Sequence, residues 1–292
     1  MQVLSFLSYS NLFVALCAAS LCTFCHLLLF NKIPDWILVG FVFSATLFAY
    51  NFHRRLGRLY KKNKHPTHRN PESIYKKDRW LIANKNVTHW FIIISFCASL
   101  FFLYLLPKET LALVFPLAIL SLLYILQVSK IPSLRSIPFL KIFVIAFVWG
   151  GVMVLLPILS ANESHRIFNF ESQALAFAVA LFVFGETIPF DIRDLNEDRA
   201  TMLKTIPSKI GLKKSKLLSL LLYILSGLLF LSIIIYYSKP LIFGVSFLLS
   251  LLTSYLIIYR VNAKKKELYY SLMIESSLSF PIIFYLFLSN LP

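Results

Sequence analysis

Nine stretches of roughly twenty apolar residues recur along the chain, at 10–30, 35–52, 87–106, 109–128, 142–161, 172–190, 217–237, 240–259 and 269–291. Each has the length that a helix rising ~1.5 Å per residue needs to cross a ~30 Å hydrocarbon core. Polar residues are confined to short segments between them. The longest, Arg54 to Asn86, is too short and too basic to bury a core of its own. The pattern predicts an all-α, polytopic membrane protein in which residues 1–292 form one transmembrane domain of nine helices. No Lys or Arg precedes the first window and no small-residue cleavage pattern follows it, so a retained helix is expected there and not a signal peptide.

Composition agrees with the pattern. Hydrophobic residues make up 58% and charged residues 14%, with a mean hydropathy of +0.74, far from the balance of soluble domains. The net charge of +16 would raise nucleic acid as a partner in a soluble chain, but its distribution gives another reason for it. The loops at 53–86, 129–141, 191–216 and 260–268 carry 11, 3, 7 and 4 of the 29 Lys and Arg residues. Only Lys32, Lys108, Arg166 and Lys239 remain for the alternate loops. Because basic residues are held on the cytoplasmic side during insertion, the N-terminus is expected to be cytoplasmic and the C-terminus external. The positive charge then faces anionic lipid headgroups, and no nucleic-acid partner is expected. Cys17, Cys22, Cys25 and Cys97 all fall inside windows, so Cys22 and Cys25 read as small buried thiols and not as a redox pair.

Polar chemistry gathers on the basic face, most densely where the sixth window ends. Asp191, Asp194 and Asp198 stand at i, i+3 and i+7, within about 60° of each other on one helical face. Like charges so placed repel, which favours a cation, or a cation carrying a phosphate, among them. The plainer alternative is a solvated helix start paired with Arg193 and Arg199. The second window runs out into Asn51, His53, Arg54, Arg55 and Arg58, and guanidinium groups bind phosphate oxygens in a bidentate fork. Arginines just past a helix end also serve simply to fix topology. Inside the windows His26, Glu186 and Glu275 are ionisable, which is costly in hydrocarbon unless they face the bundle interior. Glu186 lies about 140° round from Asp191 on an ideal helix, off the acidic face. His26 and Glu275 are expected to hydrogen-bond between helices.

On these motifs the chain resembles the UbiA-type membrane prenyltransferases, a family whose nine-helix bundle carries active-site motifs in the cytoplasmic loops after helices two and six. Asp194-x-x-x-Asp198, preceded by Asp191 and followed by Lys204, Thr205 and Gly211, matches the second motif. The segment from Lys130 to Lys141, with Tyr124 upstream, resembles the family's basic loop after helix four. The first motif departs from the family. Asn51 is in place, but Arg55 and Leu59 stand where aspartates belong, and the next acids, Glu72 and Asp78, lie more than 20 residues downstream of Asn51.

The resemblance implies an allylic diphosphate held through Mg²⁺ between the two motifs, and a carbocation captured by an electron-rich acceptor once diphosphate leaves. Carried onto this chain, it implies Mg²⁺ on Asp191, Asp194 and Asp198, and diphosphate contacts from Asn51, Arg54, Arg55, Lys141 and Lys204. The expected function is transfer of an isoprenoid group from its diphosphate to a hydrophobic acceptor in the bilayer. The altered first motif leaves open a catalytically silent homologue that binds or carries an isoprenoid lipid or scaffolds a membrane complex. A diphosphate-lipid lyase or phosphatase on the same scaffold is a further enzymatic alternative, and a transporter a weaker one.

Overall fold

A computed structural model describes residues 2–64, 76–125, 137, 139–200, 204–262 and 265–291, without the side chains at 2, 57–64, 76–78, 125 and 197–200. Among the described residues the regular structure is entirely helical. A short helix α1 (Gln2–Tyr9) leads into α2 (Leu12–Phe30) and the long α3 (Trp36–Lys64). Then come α4 (Lys76–Ala83), α5 (Lys85–Leu105) and α6 (Leu111–Ile125). Helix α7 (Leu140–Gly150) passes through a π-helical turn at Gly151–Leu155 into α8 (Leu156–Ser160). Three long helices follow, α9 (Phe170–Ala200), α10 (Ile206–Tyr236) and α11 (Leu241–Tyr259). The last span is a π-helical turn at Tyr269–Ile274, a 3₁₀ turn at Ser277–Ser279 and α12 (Phe280–Ser289).

Eight of these units are long and apolar enough to cross a membrane, and they coincide with eight of the nine apolar windows. The remaining window, 109–128, corresponds to α6, which is described over 15 residues. Nine is therefore an approximate count, with α6 the shorter member. Helix α9 runs straight through Pro189 and carries Asp191 and Asp194 on its extension, so the acidic motif belongs to a helix and not to a loop.

Each helix's place follows from how much of it is apolar all round. Helix α2 has no polar face to offer water, and 72% of its span is buried at the centre of the bundle. Helix α5 is only 22% buried and turns its apolar surface to lipid. Phe24 of α2 meets Phe230 of α10 and Phe243 and Phe247 of α11 at ring-centroid distances of 5.7–6.4 Å, and Phe230 stacks on Phe247 at 4.1 Å. This aromatic cluster packs α2 against α10 and α11. The hydroxyls of Ser20, Thr23, Ser246 and Ser250 donate to carbonyls of their own helix, so these four put no unmet donor into hydrocarbon. Ser226 instead donates across to the Ala178 carbonyl at 2.7 Å, tying α10 to α9. Cys17, Cys22 and Cys25 are buried and Cys97 is exposed on α5, all as free thiols.

On the face away from the basic loops, Glu171 at the start of α9 accepts from Arg166 at 3.2 Å and pairs with Lys239 at 2.8 Å. Two of the four basic residues on this face are thus held in ion pairs. His26 lies here too, its Nδ1 2.9 Å from the Lys32 carbonyl oxygen. It secures the turn after α2 and is remote from the acidic motif.

Candidate functional site

A cavity of about 710 Å³ opens between α3, α5, α6 and α7. Its walls are apolar over most of their length, with Phe41, Leu113 and Leu156 toward one end. The other end is polar, carrying Asn11, His53, Arg54 and Arg193. The exits of the second and sixth windows, now α3 and α9, therefore face one another across a common chamber, as the two-motif arrangement requires.

The residues expected to bind diphosphate separate into distinct environments. Asn51 is 1% exposed and its amide is fully engaged: Nδ2 donates to the Ser10 carbonyl at 3.0 Å and the Leu47 carbonyl at 2.9 Å, while Oδ1 accepts from Asn11 at 3.0 Å. An amide has two N–H donors, and both are used inside the protein, so Asn51 serves as the joint between α1 and α3. Arg54 lines the cavity, with Glu267 at 3.9 Å. Arg55 is exposed and turned away to His89 of α5, at 2.5 Å. Arg58 and Leu59 have side chains outside the described residues, as does Asp198 on the last turn of α9. Lys204 is exposed just ahead of α10.

The acidic motif is divided between two cations. Asp191 is 1% exposed and accepts from Lys141 Nζ at 2.6 Å, joining α9 to α7. Phe139, just before α7, holds φ 65°, a left-handed conformation unusual for a bulky side chain, at the turn that delivers Lys141. Both oxygens of Asp194 accept from Arg193, Oδ1 from Nε at 2.7 Å and Oδ2 from Nη2 at 3.0 Å. The Arg193 guanidinium also lies over Phe190 at 5.3 Å and Tyr270 at 5.8 Å, so it is fixed from three sides at the cavity wall. Among the described residues no three His, Cys, Asp or Glu side chains gather as metal ligands. Asp191 and Asp194 are thus held by different cations, and Asp194 is joined through Arg193 to the cavity's polar end.

Downstream of this turn, Ser208 Oγ accepts from the Thr205 N–H at 2.9 Å and caps the start of α10. Gly211 interrupts that helix with φ 79° and ψ 169°, a backbone region that only glycine adopts freely. The Lys204, Thr205 and Gly211 pattern is thus a capped turn, a short helical step and a break.

Glu186 accepts from Tyr223 Oη at 2.6 Å, buried between α9 and α10. A β-carbon at the preceding Gly185 would sit 2.4 Å from the Tyr223 ring, so glycine is what lets the tyrosine come this close. Glu186 is therefore a helix-pairing group off the cavity, consistent with its angular offset from Asp191. Arg193 and Glu275 reach the cavity although neither was expected there. For Arg193 the helical period held the signal, because it stands about 200° from Asp191 and so faces the opposite way. For Glu275 the signal was an ionisable side chain within a span, which is costly unless it faces the bundle interior, while the irregular turns before and after it left no mark.

A family model described as the UbiA prenyltransferase family matches residues 76–289, a stretch that begins after the altered first motif. The apo structure of a UbiA homolog from Aeropyrum pernix K1 superposes with a TM-score of 0.66 at 16% identity, covering 96% of this chain and 98% of that one. A digeranylgeranylglyceryl phosphate synthase structure superposes with a TM-score of 0.52, also at 16% identity, covering 98% of both chains. No curated protein sequence matches the chain.

Proposed function

The chain belongs to the UbiA prenyltransferase family, and from that premise we propose that it binds an allylic isoprenoid diphosphate in the cavity and transfers the isoprenoid group to a hydrophobic acceptor. It is an integral, multi-pass membrane protein. The observation that carries the proposal is the cavity itself, an apolar chamber of about 710 Å³ with His53, Arg54 and Arg193 at one end. Such a shape suits a ligand with a hydrocarbon tail and a phosphorylated head. With the basic loops taken as cytoplasmic, the head faces the cytoplasm.

In this reading the cationic end takes over part of what acidic motifs do through metal. Arg54 binds phosphate oxygens directly, while Arg193 is shared between the ligand and Asp194. Lys204 is a further donor from the start of α10. In the same reading Asp194 and Asp198 would hold one Mg²⁺ completed by diphosphate oxygens and water, since Mg²⁺ commonly uses one or two carboxylates. That ion would offset the charge of the leaving diphosphate. Asp191, paired with Lys141, braces the turn instead of binding the ion.

A silent, lipid-binding homologue is the second reading, favoured by the arginine at 55 in place of an aspartate and by the full engagement of Asn51. Incubating the purified protein with geranyl, farnesyl and geranylgeranyl diphosphate, Mg²⁺ and phenolic acceptors separates the two. Pyrophosphate release with prenylated product is the expected result. Tight donor binding with no release from any donor would instead establish the carrier.

A further inference from the structure

Glu275 lies in the cavity wall, which is an expensive place for a carboxyl group unless it is used. It follows a π-helical turn at Tyr269–Ile274 and precedes a 3₁₀ turn at Ser277–Ser279. The facing wall has its own π-helical turn at Gly151–Leu155, whose Val152 and Met153 line the same chamber. π-Helical turns re-aim side chains and are frequent at functional sites. Two of them bracket this one cavity.

The depth of Glu275 is set by its neighbours. Tyr50 of α3 is its electrostatic neighbour, lines the cavity with it, and is approached by the indole of Trp149. Tyr50 stands one helical turn, about 6 Å along the axis, below Arg54. A diphosphate gripped at Arg54 and Arg193 would leave its allylic chain running inward along the wall that carries Tyr50 and Glu275. Cys17 of α2 and Tyr50 of α3 lie within electrostatic reach of Glu275, and Arg54 of α3 and Arg193 of α9 line the same cavity.

We propose that Glu275 is the proton acceptor of the transfer step and selects acceptors that carry a proton on the nucleophilic group, as a neutral phenol does. This assignment rests on the transferase reading above. The allylic carbon–oxygen bond breaks with its electron pair leaving on the diphosphate. The electron pair of the acceptor's nucleophilic atom forms the new bond to that carbon. The proton the acceptor gives up passes to a Glu275 carboxylate oxygen and is then lost to water at the cavity mouth. Aromatic surfaces of Tyr50 and Trp149 flank the cationic carbon in the interval.

The test compares the full chain with Glu275→Gln and Glu275→Asp, using geranylgeranyl diphosphate, Mg²⁺ and a panel of neutral phenols. Three quantities are read: binding of a non-hydrolysable geranylgeranyl thiolodiphosphate, pyrophosphate release, and prenylated product. Glu275→Gln is expected to bind the analogue while prenylated product forms about 100-fold or more slower. Glu275→Asp recovers part of the product. Product from Glu275→Gln at the wild-type rate overturns the assignment alone. Loss of analogue binding in step with product also overturns it, by showing a structural role. A wild-type protein that binds the analogue but neither releases nor transfers overturns the transferase reading, and the assignment with it.

Discussion

Arg54 and Arg55 are adjacent in sequence but about 100° apart on α3, and that angle sends one into the cavity and the other toward His89. Replacing Arg54 by Ala is expected to weaken binding of a prenyl thiolodiphosphate by about 10- to 100-fold, the equivalent of roughly 1.5–3 kcal/mol for a hydrogen bond to a charged group. Arg55→Ala leaves it unchanged, and a radioligand titration in detergent checks both. Lys141 and Asp191 make a different kind of pair, because Asp191 has almost no access to water. Lys141→Met strands a buried carboxylate and is expected to cost about 3–5 kcal/mol of stability in thermal or denaturant unfolding. Lys141→Met with Asp191→Leu is expected to be more stable than Lys141→Met by itself. Nothing in the order of residues foretells this pair, since its members are 50 residues apart and each also fitted a ligand-binding role. Asn51 is a similar case: its identity fitted the family motif, while its three hydrogen bonds depend on where the chain near Ser10 returns.

At the scale of helices the apolar windows and the spans agree to within a few residues for most elements, because an uninterrupted run of apolar side chains has few ways to satisfy its backbone other than as a membrane helix. Irregularities were not legible in the same way. The π-helical turns at Gly151–Leu155 and Tyr269–Ile274 have no compositional mark. Gly211 is the exception in which residue type does announce geometry. No atom would meet a β-carbon there within 4 Å, so the cost of Gly211→Ala is purely that of the backbone conformation. It is expected to lower stability by about 1–3 kcal/mol without a packing defect, and unfolding curves of the variant and the parent test this.

Taken as one object, the molecule has two unlike faces. The first carries the cavity's cationic end and the long basic loops, and the second is closed by the Glu171, Arg166 and Lys239 ion pairs. Charge counting alone leads to the orientation proposed above, and labelling can check it. A cysteine introduced at Lys204 is expected to react with a membrane-impermeant maleimide only in inverted vesicles, and one at Lys108 only in intact cells. The opposite pattern would turn the cavity's polar end outward and remove it from cytoplasmic diphosphates. Fold and family were thus readable from hydropathy and one motif, whereas the contents of the chamber depended on packing that brings α3, α7, α9 and the last span together.

Of the four thiols only Cys97 looks outward, next in sequence to Phe96 on the α5 wall that separates the chamber from lipid. The unaltered chain therefore already carries a single attachment point for a bilayer-soluble nitroxide or fluorophore. A probe fixed there would report spectroscopically on the entry and exit of an isoprenoid tail, with no need to remove the three sealed cysteines first.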